Sequence, residues 1–141
     1  MEQDNGYEIT WLVRRVFRAM ATHADDYLQE SDLTAADRAV IEFLYPDEKL
    51  SVPEIASRYK VSRQHVQVTA NRLLEKGLLV NERNPRHKRS SLLRLSDLGR
   101  ERFAEIRRNE TVLLDRLFTD LAVDDLDATR RTLQTLCDRL S

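Results

Sequence analysis

Residues 51–77, "SVPEIASRYKVSRQHVQVTANRLLEKG", contain the start and stop signals of two consecutive helices. In the first helix, Ser51 and Glu54 have the spacing of a capping box, in which each side chain satisfies the backbone N–H of the other. The second helix begins after Ser62, a favoured N-cap residue, and ends at Gly77, which readily adopts a positive φ. Because only "YKVS" separates the two, the segment predicts a helix-turn-helix, whose second helix can lie in a DNA major groove.

Two short apolar runs follow this segment and flank a basic stretch. "LLVNER" (78–83) and "SLLRLS" (91–96) have the alternation of β-strands and predict a hairpin. The connection "NPRHKRS" (84–90) is too long for a two-residue turn and too polar to be buried, so we expect it to project into solvent. A helix-turn-helix followed by a basic hairpin is the winged-helix arrangement, and the fold class is therefore mainly α with a small β-hairpin wing.

Amphipathic helices are predicted on both sides of this centre. Apolar residues recur every three or four positions from Ile9 to Leu28, Tyr27 included, and Thr34 is an N-cap for a second helix. Ser96 caps a fifth helix, and a sixth follows "VDD" (123–125). The inward positions of the last two helices are Phe103, Ile106, Leu113, Leu114, Leu117, Phe118, Leu121, Leu126, Leu133, Leu136, Cys137 and Leu140. These long terminal helices have no obvious packing partner except each other.

Charge is distributed unevenly along the chain. The formal net charge is -1, yet residues 57–95 hold ten Lys or Arg and only two acidic residues, a charge of +8, so that the remainder carries -9. A basic centre with acidic flanks is expected when one face of a protein binds phosphate groups. A basic run can also be a solvated loop, but the neighbouring helix-turn-helix favours the binding interpretation.

The composition excludes several classes of protein. The 141 residues are 41% hydrophobic and 33% charged with three Gly and three Pro, which favours a helical domain with its own core. No signal peptide or long apolar run is present, so we expect a cytoplasmic protein that does not enter a membrane. The single Cys137 excludes an internal disulfide, and we expect it to be a small buried residue. Because His23, His65 and His87 lack ligand or catalytic spacing, we expect no enzyme activity, metal or cofactor.

The fourth helix, which is the second helix of the helix-turn-helix, has a predicted inner and outer face. With Val66 at the centre of the inner face, Ala70 and Leu73 fall beside it at about 100° per residue. The side chains predicted to read bases from the outer face are Gln64, His65, Gln67, Val68 and Asn71. Gln and Asn can pair bidentately with adenine, and Val can contact a thymine methyl group. The alternative is an ordinary polar helix face, for which an exposed Val68 is the least expected residue.

The chain from about residue 33 to residue 102 resembles the MarR family of bacterial winged-helix transcriptional regulators. "LTAADRAVIEFL" (33–44) is similar to the second helix of the family. "LSVPEIASRYKVSRQHVQVTANRLLEKGLLVNERNP" (50–85) is similar to its helix-turn-helix and first wing strand, and "RHKRSSLLRLSDLGRE" (86–101) to its wing and the start of the next helix. The terminal helices match in placement and apolar spacing only.

The resemblance includes two departures from the family pattern. The wing of the family commonly has an acid that braces an arginine two residues later; here the arginine is present as Arg89, but His87 stands in place of the acid. The recognition helix of the family often has a basic residue where this chain has Val68, which suggests an altered base preference.

The resemblance implies a homodimer that binds double-stranded DNA at a pseudo-palindromic operator, usually represses transcription, and releases DNA when a small phenolic or lipophilic effector acts. It implies an N-terminal dimerisation helix (1–32), a DNA-binding domain (33–98) and C-terminal dimerisation helices (99–141). We predict that the DNA backbone is held by Ser62, Arg63 and Arg72 and that the wing residues are Arg86, His87, Lys88 and Arg89. The alternative is a winged helix that docks onto an acidic protein partner without binding an operator.

Overall fold

The computed structural model describes the backbone of residues 2–141 and the side chains of all of these except residues 2, 3 and 25–27. The helices are α1 (Glu2–Glu30), α2 (Ala35–Leu44), α3 (Val52–Tyr59), α4 (Arg63–Glu75), α5 (Asp97–Phe118) and α6 (Val123–Leu140), and the strands are β1 (Leu79–Arg83) and β2 (Ser91–Leu95). The chain divides into two compact units, residues 1–109 and 110–141. The predicted fold class, mainly α with a β-hairpin wing, is confirmed.

The predicted start and stop signals of the helix-turn-helix are confirmed. Ser51 Oγ accepts a hydrogen bond from the Glu54 N–H at 3.3 Å, and Glu54 Oε1 accepts from the Ser51 N–H at 3.2 Å. Ser62 Oγ accepts from the His65 N–H at 3.0 Å at the start of α4. Gly77, two residues beyond the end of α4, has a φ of 74°. Local side-chain chemistry therefore sets both the length and the ends of the recognition helix.

The hairpin has the predicted strands and one pairing that was not predicted. β1 and β2 pair antiparallel with Arg83 opposite Ser91, so the wing loop spans residues 84–90 as expected. Leu50, just before α3, pairs with Leu93 through two backbone hydrogen bonds of 3.1 and 2.7 Å. A single paired residue has no periodicity that sequence could reveal. This bridge ties the base of the wing to the start of α3.

The core of the first unit lies between α2, α3, α4, the hairpin and the start of α5. Its fully buried side chains include Ile41, Leu44, Ile55, Val66, Leu73, Leu93, Leu95 and Ile106. Gly99 lets α5 pass close to the backbone after α4, since a Cβ there would collide with the Leu78 carbonyl oxygen. Ser96 Oγ joins the same corner by accepting from the Gly99 N–H at 3.0 Å and donating to the Gly77 carbonyl at 2.6 Å. The end of α4 is thereby fixed against the start of α5.

α1 is longer than predicted and exposes most of its apolar face. It begins at Glu2 rather than at Ile9, because the polar residues before Ile9 continue the helix without extending the apolar pattern. Leu28 is buried in the core, but the exposed apolar residues of α1 include Ile9, Leu12, Val13, Val16, Phe17 and Met20. Tyr27, predicted on the same face, lies outside the described side chains. Neither α1 nor any other helix within residues 2–141 is long and apolar enough to cross a membrane.

The second unit exposes part of its predicted inward face and half-buries the rest, which is Leu113, Leu114, Leu126 and Leu136. α6 has no buried residue, and the exposed apolar residues of residues 110–141 include Leu117, Phe118, Leu121, Leu133 and Leu140. Cys137 is also exposed, so the expectation that it is buried is wrong for the single chain. α6 begins at Val123, within "VDD" rather than after it, since acidic residues are favourable in the first turn of a helix.

Candidate nucleic-acid interface

α4 presents the five side chains predicted to read bases on one exposed face. The predicted inner residues Val66, Ala70 and Leu73 are fully buried, and their burial turns the opposite face of α4 to solvent. The exposed residues of that face are Gln64, His65, Gln67, Val68 and Asn71. Val68 is 56% exposed although it is apolar and β-branched. The structure therefore brings the five residues together; their contact with bases stays a prediction.

The two amides in the middle of this face are hydrogen bonded to each other. Gln67 Nε2 donates to Asn71 Oδ1 at 2.8 Å, across one turn of α4. The bond uses one N–H of Gln67 and one lone pair of Asn71 Oδ1, so that Gln67 Oε1 can still accept and Asn71 Nδ2 can still donate hydrogen bonds. An adenine edge in the major groove requires one donor and one acceptor. The paired amides thus form a prearranged polar unit of the kind that base recognition uses.

Ser62 and Arg63 lie at the N-terminus of α4, where backbone N–H groups attract anions. Ser62 Oγ caps the helix through the His65 N–H. Arg63 is exposed and lines two adjoining hollows, one facing the amides of α4 and one beneath the wing loop. Arg63 is therefore placed between the exposed face of α4 and the wing.

Arg72, also predicted to hold the DNA backbone, binds a carboxylate of the protein itself. Its Nε and Nη2 donate to Asp37 Oδ1 at 3.0 and 2.5 Å. Asp37 is fully buried in α2, and its Oδ2 accepts from the Thr34 N–H at 2.9 Å. Arg72 thus differs from Ser62 and Arg63, because it contacts a carboxylate of the protein itself. The binding of Arg72 to phosphate stays a prediction.

The wing loop exposes the four residues predicted for it but buries its first residue. The exposed residues are Arg86, His87, Lys88 and Arg89. Asn84 is only 7% exposed, so the expectation that the whole loop projects into solvent is wrong at this position. Its Oδ1 accepts from the Arg86 N–H at 3.0 Å and its Nδ2 donates to Ser90 Oγ at 3.2 Å. Asn84 therefore closes the loop from inside, as asparagine does in Asx turns.

A charged network supports the base of the wing. Glu82 on β1 accepts hydrogen bonds from Lys49 Nζ at 2.8 Å and from Arg94 Nε at 2.5 Å. The hydrogen bond from Lys49 and then that from Arg94 lower the pKa of the Glu82 carboxyl below its ordinary value, because both favour the ionised form. The network joins both strands to the segment before α3.

A hollow of about 400 Å³ lies between α4 and the wing. The residues that line it are Val52, Pro53, Arg63, Gln64, Gln67, Arg89, Ser90 and Ser91. Amide side chains of α4 thus face a basic residue of the wing across this hollow, which forms a groove between them. In protein–DNA interfaces, base-edge contacts give sequence choice and phosphate contacts give position. This groove combines the side chains suited to each task.

Some of the basic side chains of residues 57–95 are paired with acidic side chains of the protein itself. The cations in such pairs include Arg58 with Glu48, Arg72 with Asp37, Lys76 with Asp32, and Arg94 with Glu82. The exposed cations of the same segment include Lys60, Arg63, Arg83, Arg86, Lys88 and Arg89. Positive charge directed to solvent is therefore concentrated at the start of α4 and at the wing.

Three supporting residues of this site were not predicted from sequence. An Asn immediately before a Pro is a turn signal that could have identified Asn84. The spacing of Asp37, three residues after the N-cap Thr34, is that of a capping box and could have drawn attention to it. No comparable sequence signal identifies Glu82, because acids are common at the exposed alternating positions of strands. All three act on predicted site residues through contacts with them or with the strands that carry them.

The chain is similar to known helix-turn-helix transcriptional regulators. A model of the MarR family matches residues 31–90 of the chain. The Bacillus subtilis protein YkoM, named an uncharacterised helix-turn-helix-type transcriptional regulator, is 28% identical over 113 residues, 80% of this chain and 73% of that protein. The helix-turn-helix-type transcriptional repressor MdtR of the same organism is 24% identical over 119 residues, 84% of this chain and 77% of that protein.

A solved structure shows the same fold over nearly the whole chain. The crystal structure of the MarR family transcription regulator SP03579 is similar with a TM-score of 0.86. The match covers 99% of this chain and 92% of that chain at 21% sequence identity. The similarity therefore extends to the terminal helices as well as to the winged helix.

Proposed function

We propose, because this chain belongs to the MarR family of winged-helix regulators, that it represses transcription as a homodimer bound to a pseudo-palindromic operator. The family and the relatives that resemble this chain are transcriptional regulators, not enzymes, which indicates DNA-binding regulation. The operator, the direction of regulation and the release by an effector are the further parts of the proposal.

The observation that carries the proposal is the exposed amide face of α4 beside the basic wing. An α-helix fits the major groove, and Gln64, Gln67 and Asn71 supply donors and acceptors that base edges match. Val68, exposed among them, suits a thymine methyl group. His65 stands at the edge of the same face and adds one more polar contact. We infer that these five residues provide most of the sequence choice.

Phosphate contacts supply most of the affinity in this proposal. Arg63, at the start of α4, and Arg89, across the groove, are exposed cations on its two sides. Arg86 and Lys88 extend the charge along the wing, and His87 adds a polar group between them. Each phosphate neutralised releases condensed counterions, so affinity is expected to fall steeply as salt rises.

A second copy of the chain is the proposed partner of the exposed apolar faces. α1 exposes Phe17 at 72% and Val16 at 55%, and α6 exposes Leu140 at 83%, which is costly in water unless a partner covers them. The proposed regions are residues 1–32 and 99–141 for dimerisation and residues 33–98 for DNA binding. Two recognition helices about 34 Å apart then read half-sites one DNA turn apart.

Repression and release complete the proposal. MdtR, similar to this chain over most of its length, is named a repressor. A repressor occupies its operator until a small phenolic or lipophilic effector favours a dimer whose recognition helices no longer match the half-sites. Such a protein acts where the chromosome is, in the bacterial cytoplasm.

A mobility-shift assay on the DNA upstream of the protein's own gene tests the proposal. We expect a discrete complex that persists with excess shuffled competitor DNA at about 150 mM salt, and that weakens in a Gln64→Ala, Asn71→Ala double variant. Loss of the complex on addition of phenolic compounds would support effector release. A winged helix that docks onto an acidic protein instead gives no discrete complex with this DNA.

A further inference from the structure

We propose that Asp37 is a positioning residue for sequence-specific DNA binding, because it fixes the orientation of α4 through Arg72. Asp37 lies on α2 and does not belong to the exposed face of α4. The inference rests on the proposed operator binding and adds a residue that determines specificity without touching DNA.

The contact is directional, and its carboxylate is buried although the Arg72 side chain is partly exposed. Arg72 donates two hydrogen bonds to one carboxylate oxygen of Asp37, and the other oxygen is held by the Thr34 N–H at 2.9 Å. Thr34 Oγ1 in turn accepts from the Asp37 N–H at 3.1 Å, which completes the capping box of α2. Asp37 is 0% exposed, and these hydrogen bonds hold its carboxylate in place relative to the start of α2.

The remaining contacts of α4 with the core are not directional in this way. The buried residues of α4 are Val66, Thr69, Ala70 and Leu73, three of them apolar, and apolar packing tolerates small rotations about a helix axis. A guanidinium held through two N–H groups by one carboxylate constrains both distance and angle. Of the contacts between α2 and α4, the ion pair is therefore the one that best defines the rotation of α4.

A second cation anchors the end of α4 to the turn between α1 and α2. Lys76 Nζ donates to the Asp32 carbonyl oxygen at 2.5 Å and lies 3.4 Å from Asp32 Oδ2. Residues 32–37 thus hold α4 at two positions one turn apart, Arg72 and Lys76. A rotation of α4 changes which base edges meet Gln64 and Asn71 while leaving phosphate contacts largely available.

Electrostatics and positioning predict opposite results when the charge of Asp37 is removed. If Asp37 acted only as a negative charge near DNA, Asp37→Asn would strengthen binding to every duplex. If Asp37 positions α4, the same change weakens binding to the preferred sequence while binding to other sequences is unchanged or stronger. Arg72→Lys keeps the positive charge but loses the planar fork of donors, so it is expected to have the same effect.

The experiment compares the wild type, Asp37→Asn and Arg72→Lys with Glu42→Gln. Glu42 is an exposed acid on α2 that pairs with Arg38 on the same helix, so its variant removes the same charge from the same element. Dissociation constants are measured over a range of salt for two duplexes, one selected from a random pool by the wild type and one of shuffled sequence. Circular dichroism and thermal unfolding establish that each variant is folded, and Arg72→Lys carries the test if Asp37→Asn does not fold.

We expect the ratio of selected to shuffled affinity to fall about tenfold in Asp37→Asn and Arg72→Lys, the discrimination of about one base contact. Glu42→Gln should keep the wild-type ratio. The inference is overturned if both variants keep that ratio. It is also overturned if an Arg72→Gln variant loses affinity equally for both duplexes and its slope of log K against log salt is lower by about one, because Arg72 would then bind phosphate directly. If the wild type selects no sequence from the pool, the proposed function itself fails. If the wild type selects a sequence and the variants bind it equally well, only the inference about Asp37 fails.

Discussion

Asn84 Oδ1 accepts a hydrogen bond from the backbone N–H of Arg86 at 3.0 Å, so the first residue of the wing loop fixes the third. The Asn84 Nδ2 atom donates to Ser90 Oγ at 3.2 Å and thereby holds the last residue of the loop. His87 stands where the resemblance leads one to expect a bracing acid. In this chain a buried amide before Pro85 supports the loop instead.

Replacing Asn84 with Ala should loosen the wing. The change removes both hydrogen bonds of a buried side chain, an effect of about 1–3 kcal/mol on the local structure. We expect faster hydrogen exchange at the Arg86 amide, measured by NMR, while amides of α4 keep their protection. Asn84→Asp retains the acceptor for Arg86 and should preserve more of that protection. Unchanged exchange at Arg86 in Asn84→Ala would show that the loop has another support.

Replacing Arg89 with Ala should weaken binding to all DNA sequences. Arg89 is an exposed cation of the wing, and loss of one phosphate contact lowers the slope of log K against log salt by about one. Fluorescence anisotropy at several salt concentrations measures this slope. Arg131→Ala, which removes an exposed arginine from α6, is the matched control and should leave it unchanged. An unaltered slope in Arg89→Ala would mean that Arg89 does not meet the DNA backbone.

Replacing Gln64 or Asn71 with Ala should change sequence preference rather than general affinity. Each bidentate base contact is worth about 1–3 kcal/mol of discrimination against a wrong base. We expect each variant to tolerate substitutions at one or two base pairs per half-site that the wild type rejects. Binding to a full set of single-substitution operators measures this. A uniform loss across all operators would argue against base reading by these residues.

The Glu82 network should make the wing base sensitive to acid. Hydrogen bonds from Lys49 and Arg94 lower the pKa of Glu82 in the folded state. A lowered folded pKa gives stability that is present above the unfolded pKa and is lost as pH falls through the folded one. Glu82→Gln should therefore be less stable than the wild type in urea at pH 7, with a difference that begins to shrink as pH falls below the ordinary Glu pKa of about 4.3 and closes below the lowered pKa of the folded state. A difference that is the same at pH 3 and pH 7 would contradict ionisation of Glu82 as its cause.

Two glycines in helices should respond oppositely to Ala. At Gly99 a Cβ would collide with the Leu78 carbonyl oxygen, so Gly99→Ala should destabilise the protein by about 1–3 kcal/mol. Gly6 in α1 has nothing within 4 Å of an added Cβ, and Gly6→Ala should stabilise the helix by about 0.5–1 kcal/mol. Thermal unfolding of both variants measures the contrast. If both variants changed the stability equally and in the same direction, the backbone at Gly99 would be able to move away from the Leu78 carbonyl oxygen.

The sequence predicted the elements whose determinants are local. Ser51 with Glu54, Ser62 and Gly77 act on backbone groups within a few residues, and the structure has all of these caps. The inner and outer faces of α4 follow from a fixed angle per residue, so they too were predictable. The hairpin and the bounds of its loop followed from the short apolar runs on either side of the wing loop.

What sequence missed depends on residues distant along the chain or outside it. Asp37 and Arg72 are 35 residues apart, and no periodicity relates them. Arg72 was accordingly predicted to bind phosphate, although in the structure it binds a buried carboxylate. The exposed Leu140 and Cys137 were predicted to face inward because an apolar pattern indicates burial without indicating which molecule provides the cover.

Selection of bound duplexes from a random pool at about 150 mM salt tests sequence-specific DNA binding most directly. The wild-type protein is predicted to enrich a sequence with two inverted half-sites whose centres lie about ten base pairs apart. The Gln64→Ala, Asn71→Ala variant should enrich a different or less defined sequence from the same pool. A wild-type pool that remains indistinguishable from the input after several rounds would contradict the account.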